Sequence, residues 1–174
     1  MRLAATFVRA TRAERILDIG TGFGYSALWL ADAGGVGARV EAIDRFAEHI
    51  NAAQRFAEIA GLAQRLRFIS GEADDILRDV NEVYDLVHDD GWFAAQPSYF
   101  DRMVELLKPG GLLTMPNWFL LIDAISMRGH DTWATFAGPS WEAAILGYAE
   151  HLANDPRLHV TWTVSPPLAV GLKR

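Results

Sequence analysis

The sequence predicts an α/β fold, a doubly wound seven-stranded sheet whose last strand is antiparallel. Three observations lead there. Short apolar runs alternate with longer segments of helical period, a glycine-rich turn joins the first run to the first such segment, and the chain closes on two strand-like runs joined too tightly to be parallel. The length of 174 residues suits one continuous core, so residues 1–174 are expected to form one domain.

The elements follow in order. MRLAATFVRATRAE, with arginines on both sides of a short apolar patch, predicts a short amphipathic N-terminal helix and lacks the apolar core of a signal peptide. Strands are expected at RILDI (15–19), RVEAI (39–43), RLRFI (65–69), YDLVH (84–88) and GLLTM (111–115). Helices are expected between them, at 24–33, 46–60, 73–80 and 97–107. Beyond Gly111 a tryptophan-rich stretch leads to a helix at 140–153, then to HVTWTV and PLAVGLK, placing a reversed strand at the far edge of the sheet.

Composition narrows the function. Half the residues are hydrophobic and the net charge is -6, which disfavours disorder and a broad nucleic-acid footprint and favours a small-molecule partner. Cysteine is absent, so thiolate chemistry and cysteine metal sites are excluded. No window of eighteen uninterrupted apolar residues occurs, so no membrane span is expected and the default location is the cytoplasm.

The turn DIGTGFGYS, Asp18 to Ser26, carries the first chemical signal. Its glycines let backbone approach a ligand closely, and the helix that follows presents unpaired N–H groups. A dinucleotide fingerprint would read G-x-G-x-x-G, whereas this one reads D-x-G-x-G-x-G, which argues against a nicotinamide-dependent oxidoreductase. An acid inside the strand can face an amine and the helix end a carboxylate, so the loop suits an amino-acid zwitterion. Asp44, twenty residues past Gly24, ends the second strand where an acid can accept hydrogen bonds from two ribose hydroxyls. Together they indicate a nucleoside linked to an amino acid.

These residues carry a resemblance. ILDIGTGFGYSALWLA resembles the first motif of the Rossmann-like class I S-adenosylmethionine-dependent methyltransferases, and more narrowly the small cation-dependent O-methyltransferases that include the catechol and caffeoyl-coenzyme A enzymes. The likeness continues through VEAID, SGEADDIL, YDLVHDDGW, LLKPGGLLTMPN and the C-terminal segment, nearly the whole chain. It implies S-adenosylmethionine as cofactor. Its methionine part would be held by Asp18 and the loop of Gly20, Thr21, Gly22 and Gly24, with Ser26 near the carboxylate. Asp44 would bind the ribose, Glu72 and Ala73 with Asp74 beside them would border the adenine, and Arg45, Asp90 and Trp92 would complete the cofactor-binding set.

Two departures from the family pattern bear on chemistry. Asp90 takes the place of the family's metal-binding aspartate, but Phe93 stands where a lysine serves as base, and Pro116-Asn117 stands where Asp-Asn binds the metal. Asp90 and Asn117 alone make a poor site for a hard cation, and Asp89 should point to the opposite face of the strand, so no obligatory metal is expected. Asp90 is the first catalytic candidate, orienting the acceptor or taking its proton, and His130 and His88 are the histidine candidates, His88 having structural support as its other reading. Trp92, Trp118, Trp133 and Trp141 suit a flat, largely apolar acceptor such as a phenol. Family members carry additional N-terminal helices over the cofactor and acceptor, and this chain has only about a dozen residues before the first strand, so the resemblance implies a pocket that is more open or is closed by a second subunit, a homodimer. The competing readings are an enzyme keeping a weak metal site through Asp90 and Asn117, and a cofactor-binding partner protein that no longer transfers methyl groups.

Overall fold

A computed structural model describes residues 1–91, 97–116, 141–164 and 167–174. Seven strands form one sheet: β1 (Arg15–Ile19), β2 (Arg39–Asp44), β3 (Leu66–Ser70), β4 (Tyr84–Asp89), β5 (Leu107–Pro116), β6 (Leu158–Val164) and β7 (Pro167–Lys173), in the order β3-β2-β1-β4-β5-β7-β6. The first five are parallel and β7 runs antiparallel to both its neighbours. Described helices are α1 (Arg2–Thr11), α2 (Tyr25–Gly34), α3 (Ala47–Ile59), α4 (Ala73–Asp79), α5 (Pro97–Leu106) and, numbered next here, α6 (Trp141–Asn154). No described helix is long and apolar enough to cross a membrane.

Alternation along the strands sorts the core into two layers. Ile16, Val40, Ala42, Leu86, Leu112 and Val170 face one side, where Ala4, Ala5 and Val8 of α1 and Ala27, Leu30 and Ala31 of α2 cover them. Leu17, Ile19, Ile43, Val87, Leu113 and Ala169 face the other, under Leu77 of α4, Phe100 and Met103 of α5, and Tyr148 and Leu152 of α6. Buried on both faces, the central strands read as nearly continuous apolar runs. The exceptions are Asp18, His88 and Thr114, which are neighbours in register across β1, β4 and β5 on the α2 face, and Asp89 on the other.

Two placements differ from the sequence expectation. The reversed strand β7 lies one position in from the edge, because its hairpin partner β6 takes the outer place while β7 pairs with β5. Strand β5 starts at Leu107 rather than Gly111: Tyr84 pairs with Leu107 and Leu86 with Leu112, so Lys108 to Gly111 form a bulge within the strand.

Phe100 is fully buried between layers, its ring 5.5 Å from that of Tyr148 and 4.7 Å from that of His151, both edge-to-face. Phe100→Ala is expected to lower unfolding free energy by about 3–5 kcal/mol in urea titrations, since α5 and α6 lose their shared anchor.

Candidate functional site

The carboxyl ends of β1, β2, β3 and β4 enclose a cavity of about 330 Å³, the position where open parallel sheets bind ligands. The backbone builds its floor. Gly20 N–H and Thr21 N–H donate to Ile43 O (2.9 and 3.0 Å), Gly71 N–H to Asp44 O (3.0 Å) and Asp90 N–H to Ile19 O (2.9 Å), stitching each loop to the neighbouring strand end. Gly20 adopts φ 77°, and a Cβ there would sit 2.8 Å from the Asp90 carbonyl carbon and from Gly91 N. Only glycine allows the loop and the turn after β4 to close so tightly. Gly24, at φ 86°, caps α2, and a Cβ there would meet Ala53 of α3 at 2.8 Å.

Asp44 organises the middle of the cavity. Its Oδ2 accepts from Gly22 N–H at 2.9 Å and its Oδ1 from Phe46 N–H at 2.9 Å, so the acid expected at a ribose also pins the glycine loop. Arg45 lies beside it with its guanidinium 4.8 Å from the Phe46 ring centroid. Glu72 caps α4, and Glu72, Ala73 and Asp74 form the wall expected for a base. Asp90 and Gly91 close the far side.

Of the residues expected from sequence, the structure thus brings Gly20, Gly22, Asp44, Arg45, Glu72, Ala73 and Asp90 to one cavity. Asp18, Thr21, Gly24 and Ser26 do not line it. Asp18 and Ser26 are buried on the α2 face, with Ser26 Oγ–H donating to Asp18 Oδ2 at 2.7 Å. Asp18 Oδ1 and Thr21 Oγ1 are buried with no hydrogen-bond partner among the described residues. Trp92, Phe93, Asn117, Trp118, His130 and Trp133 lie outside the described residues, and Trp141 opens α6.

His88 is fully buried, does not line the cavity, and places Nδ1 2.9 Å from Thr114 Oγ1. Burial holds its pKa down to about 3, so the ring is neutral near pH 7. That is a structural placement, the second of the two readings its position in the strand allowed. Asp89 is also buried and points into the α5/α6 layer. Its Oδ1 accepts from Tyr99 Oη–H (2.7 Å) and Gly91 N–H (3.0 Å), and its Oδ2 from Tyr148 Oη–H (2.9 Å). Burial pushes the Asp89 carboxyl up, and the two phenols and the amide pull against it. The sequence signal for Asp89's orientation was its odd position in the strand; nothing in it marked the tyrosines.

Two other cavity residues escaped the sequence reading. His49, one turn into α3, places Nδ1 3.2 Å from Asp44 Oδ1, and Phe46 stands at the helix entrance. Phe46 and His49 lie three residues apart at the start of the helix that follows Asp44, the one clue available. Elsewhere, Asp101, His151 and Asp155 could together approach an ion, but Arg157 already pairs with both carboxylates.

Burial, opposed by the Ser26 hydrogen bond and the neighbouring Thr21 hydroxyl, pushes the Asp18 carboxyl up to about 6. A carboxyl raised from 3.8 to about 6 on folding favours the native state below pH 3.8, and that contribution, about 3 kcal/mol, is lost as pH climbs through 6. His88 acts in the opposite sense, so the comparison is with Asp18→Asn. Between pH 4 and pH 7 the ligand-free wild type is expected to lose stability relative to that variant, as read from paired denaturant titrations.

A family model described as O-methyltransferase matches residues 3–168. A Mycobacterium sp. (strain JLS) protein named "Putative O-methyltransferase" is 35% identical over 172 residues, spanning 98% of this chain and 73% of its own. Among solved structures, the O-methyltransferase TomG of Streptomyces achromogenes, determined in complex with SAM, is 26% identical with a TM-score of 0.79, covering 99% of this chain and 78% of that one. The Bacillus cereus O-methyltransferase, determined in complex with SAH, is 24% identical with a TM-score of 0.80, covering 99% and 80%, and shares the fold. The seven-stranded order, the glycine turn and the match along nearly the whole chain agree: the chain belongs to the O-methyltransferase family.

Proposed function

We propose that the protein binds S-adenosylmethionine in the crevice between the ends of β1 and β2 and methylates a hydroxyl of a small aromatic molecule without an obligatory metal. The observation that carries the reading is Asp44: a largely shielded carboxylate at the end of β2, tied to the glycine loop through Gly22, in a cavity of nucleoside size. The orphaned Asp18 Oδ1 and Thr21 Oγ1 fit the group as well, since buried polar atoms without partners are costly and an ammonium would satisfy them. Binding a cation there also favours ionised Asp18. When bound, the cofactor supplies a methyl group on a sulfonium; the chain's part is to align that carbon with the acceptor oxygen, exclude water and take up the hydroxyl proton.

The donor set does not fit the cation of the related enzymes. Pro116 offers no side-chain ligand, and Asp89 faces the other layer with both oxygens engaged by Tyr99, Tyr148 and Gly91. Among the described residues at this position only Asp90, in the cavity wall, remains, and with Asn117, the sequence's other candidate, it makes fewer oxygens than a hard cation commonly takes from a protein. Asp90 is assigned to orient the acceptor or accept its proton, and His130 is the second base candidate. His88 is left out of the proposed chemistry because it is buried and neutral, with Nδ1 at Thr114. Small acceptor molecules, without nucleic acid or membrane, are the proposed partners, and a homodimer in the cytoplasm is the proposed setting.

S-adenosylhomocysteine is expected to raise the melting temperature while NAD leaves it unchanged, and Asp44→Ala to weaken the former about tenfold or more in calorimetry. Stabilisation by NAD alone would overturn the cofactor assignment. In an acceptor screen with labelled methyl donor, Asp90→Ala should cut turnover far more than cofactor affinity; unchanged turnover removes Asp90 from the mechanism. Magnesium titrations should show no tight stoichiometric binding, and a tight stoichiometric isotherm would restore the metal.

A further inference from the structure

We propose that His49 is a second ribose-binding residue, acting beside Asp44. This rests on the reading of the cavity as a nucleoside site. The argument begins with a shortage of lone pairs. A carboxylate offers about four acceptor positions, two on each oxygen. Asp44 Oδ2 already accepts from Gly22 N–H at 2.9 Å, and Oδ1 accepts from Phe46 N–H at 2.9 Å while lying 3.2 Å from His49 Nδ1. With Oδ1 shared by two donors, one position remains on Oδ2. A ribose diol brings two hydroxyl protons.

His49 itself takes one of those positions and offers an acceptor on its other nitrogen in return. Its Nδ1 faces a carboxylate oxygen, which is favourable only if Nδ1 carries the hydrogen; in the neutral form of the ring, Nε2 then offers a lone pair. His49 lines the same cavity as Asp44, with 27% of its side chain exposed. The ring is also held in place. Phe23, from the glycine loop, lies 4.4 Å away by ring centroids, and Phe46 lies 5.0 Å away at a steep angle. One imidazole therefore joins the glycine loop, the acid after β2 and the first turn of α3, and it is positioned before any ligand arrives. Arg45 does not fill this role, since a guanidinium has no lone pair to offer.

The test is calorimetric. The probes are S-adenosylhomocysteine, adenosine, 2′-deoxyadenosine and 3′-deoxyadenosine. His49→Phe keeps the ring packing against Phe23 and Phe46 and removes both nitrogens; it should weaken S-adenosylhomocysteine binding about tenfold. His49→Gln restores a donor and an acceptor and should stay within about threefold of wild type. In wild type each deoxyadenosine should bind more weakly than adenosine, and in His49→Phe one of those two differences should vanish. Wild-type affinity in His49→Phe, equal losses in both variants, or unchanged deoxyadenosine differences would each overturn the assignment. Failure of the wild type to bind S-adenosylhomocysteine at all would instead overturn the nucleoside reading beneath it.

Discussion

The close approach of Gly20 to the peptide joining Asp90 and Gly91 is the constraint on which the site depends. No side chain fits between the end of β1 and the turn after β4, so the glycine loop leaves β1 in direct backbone contact with that turn. From there Gly22 reaches Asp44, and Gly24 starts α2 against Ala53 of α3. One local steric requirement thus fixes where β1, β2 and β4 end relative to one another, and the cavity is the space that those ends leave.

Two buried carboxylates near this rim meet their desolvation in different ways. Asp89 is saturated: two tyrosines from separate helices and the Gly91 amide satisfy it, and the same bonds hold the turn that carries Asp90 into the cavity. Asp18 accepts from the Ser26 hydroxyl on one oxygen, with the Thr21 hydroxyl nearby, and its other oxygen has no hydrogen-bond partner among the described residues. A satisfied charge rigidifies a fold, whereas an incompletely satisfied one stores a preference for a ligand. The contrast separates the residue that supports the site from the residue proposed to meet the cofactor's ammonium.

Most of the architecture was legible because the signals were local. Strand β1 has the bounds that RILDI implies, and the helices fall within a residue or so of their apolar periods. The bulge of Lys108 to Gly111 and the inward place of β7 were not legible, because both depend on which partner a strand finds in three dimensions. The site divides the same way. Asp44 and the glycine loop announce themselves by position after a strand, and Asp89's direction follows from alternation. The tyrosines that hold Asp89, and the rings around His49, come together only through packing between segments distant in sequence, so no spacing marks them.

The most direct measurement of the central claim is a crystal structure with S-adenosylhomocysteine. The account predicts a ribose hydroxyl within hydrogen-bonding distance of Asp44, the base against Glu72 and Ala73, and the amino-acid end running past the glycine loop toward Asp18. Ligand density in another cleft, or a sugar in the crevice with Asp44 turned away from it, would contradict the account.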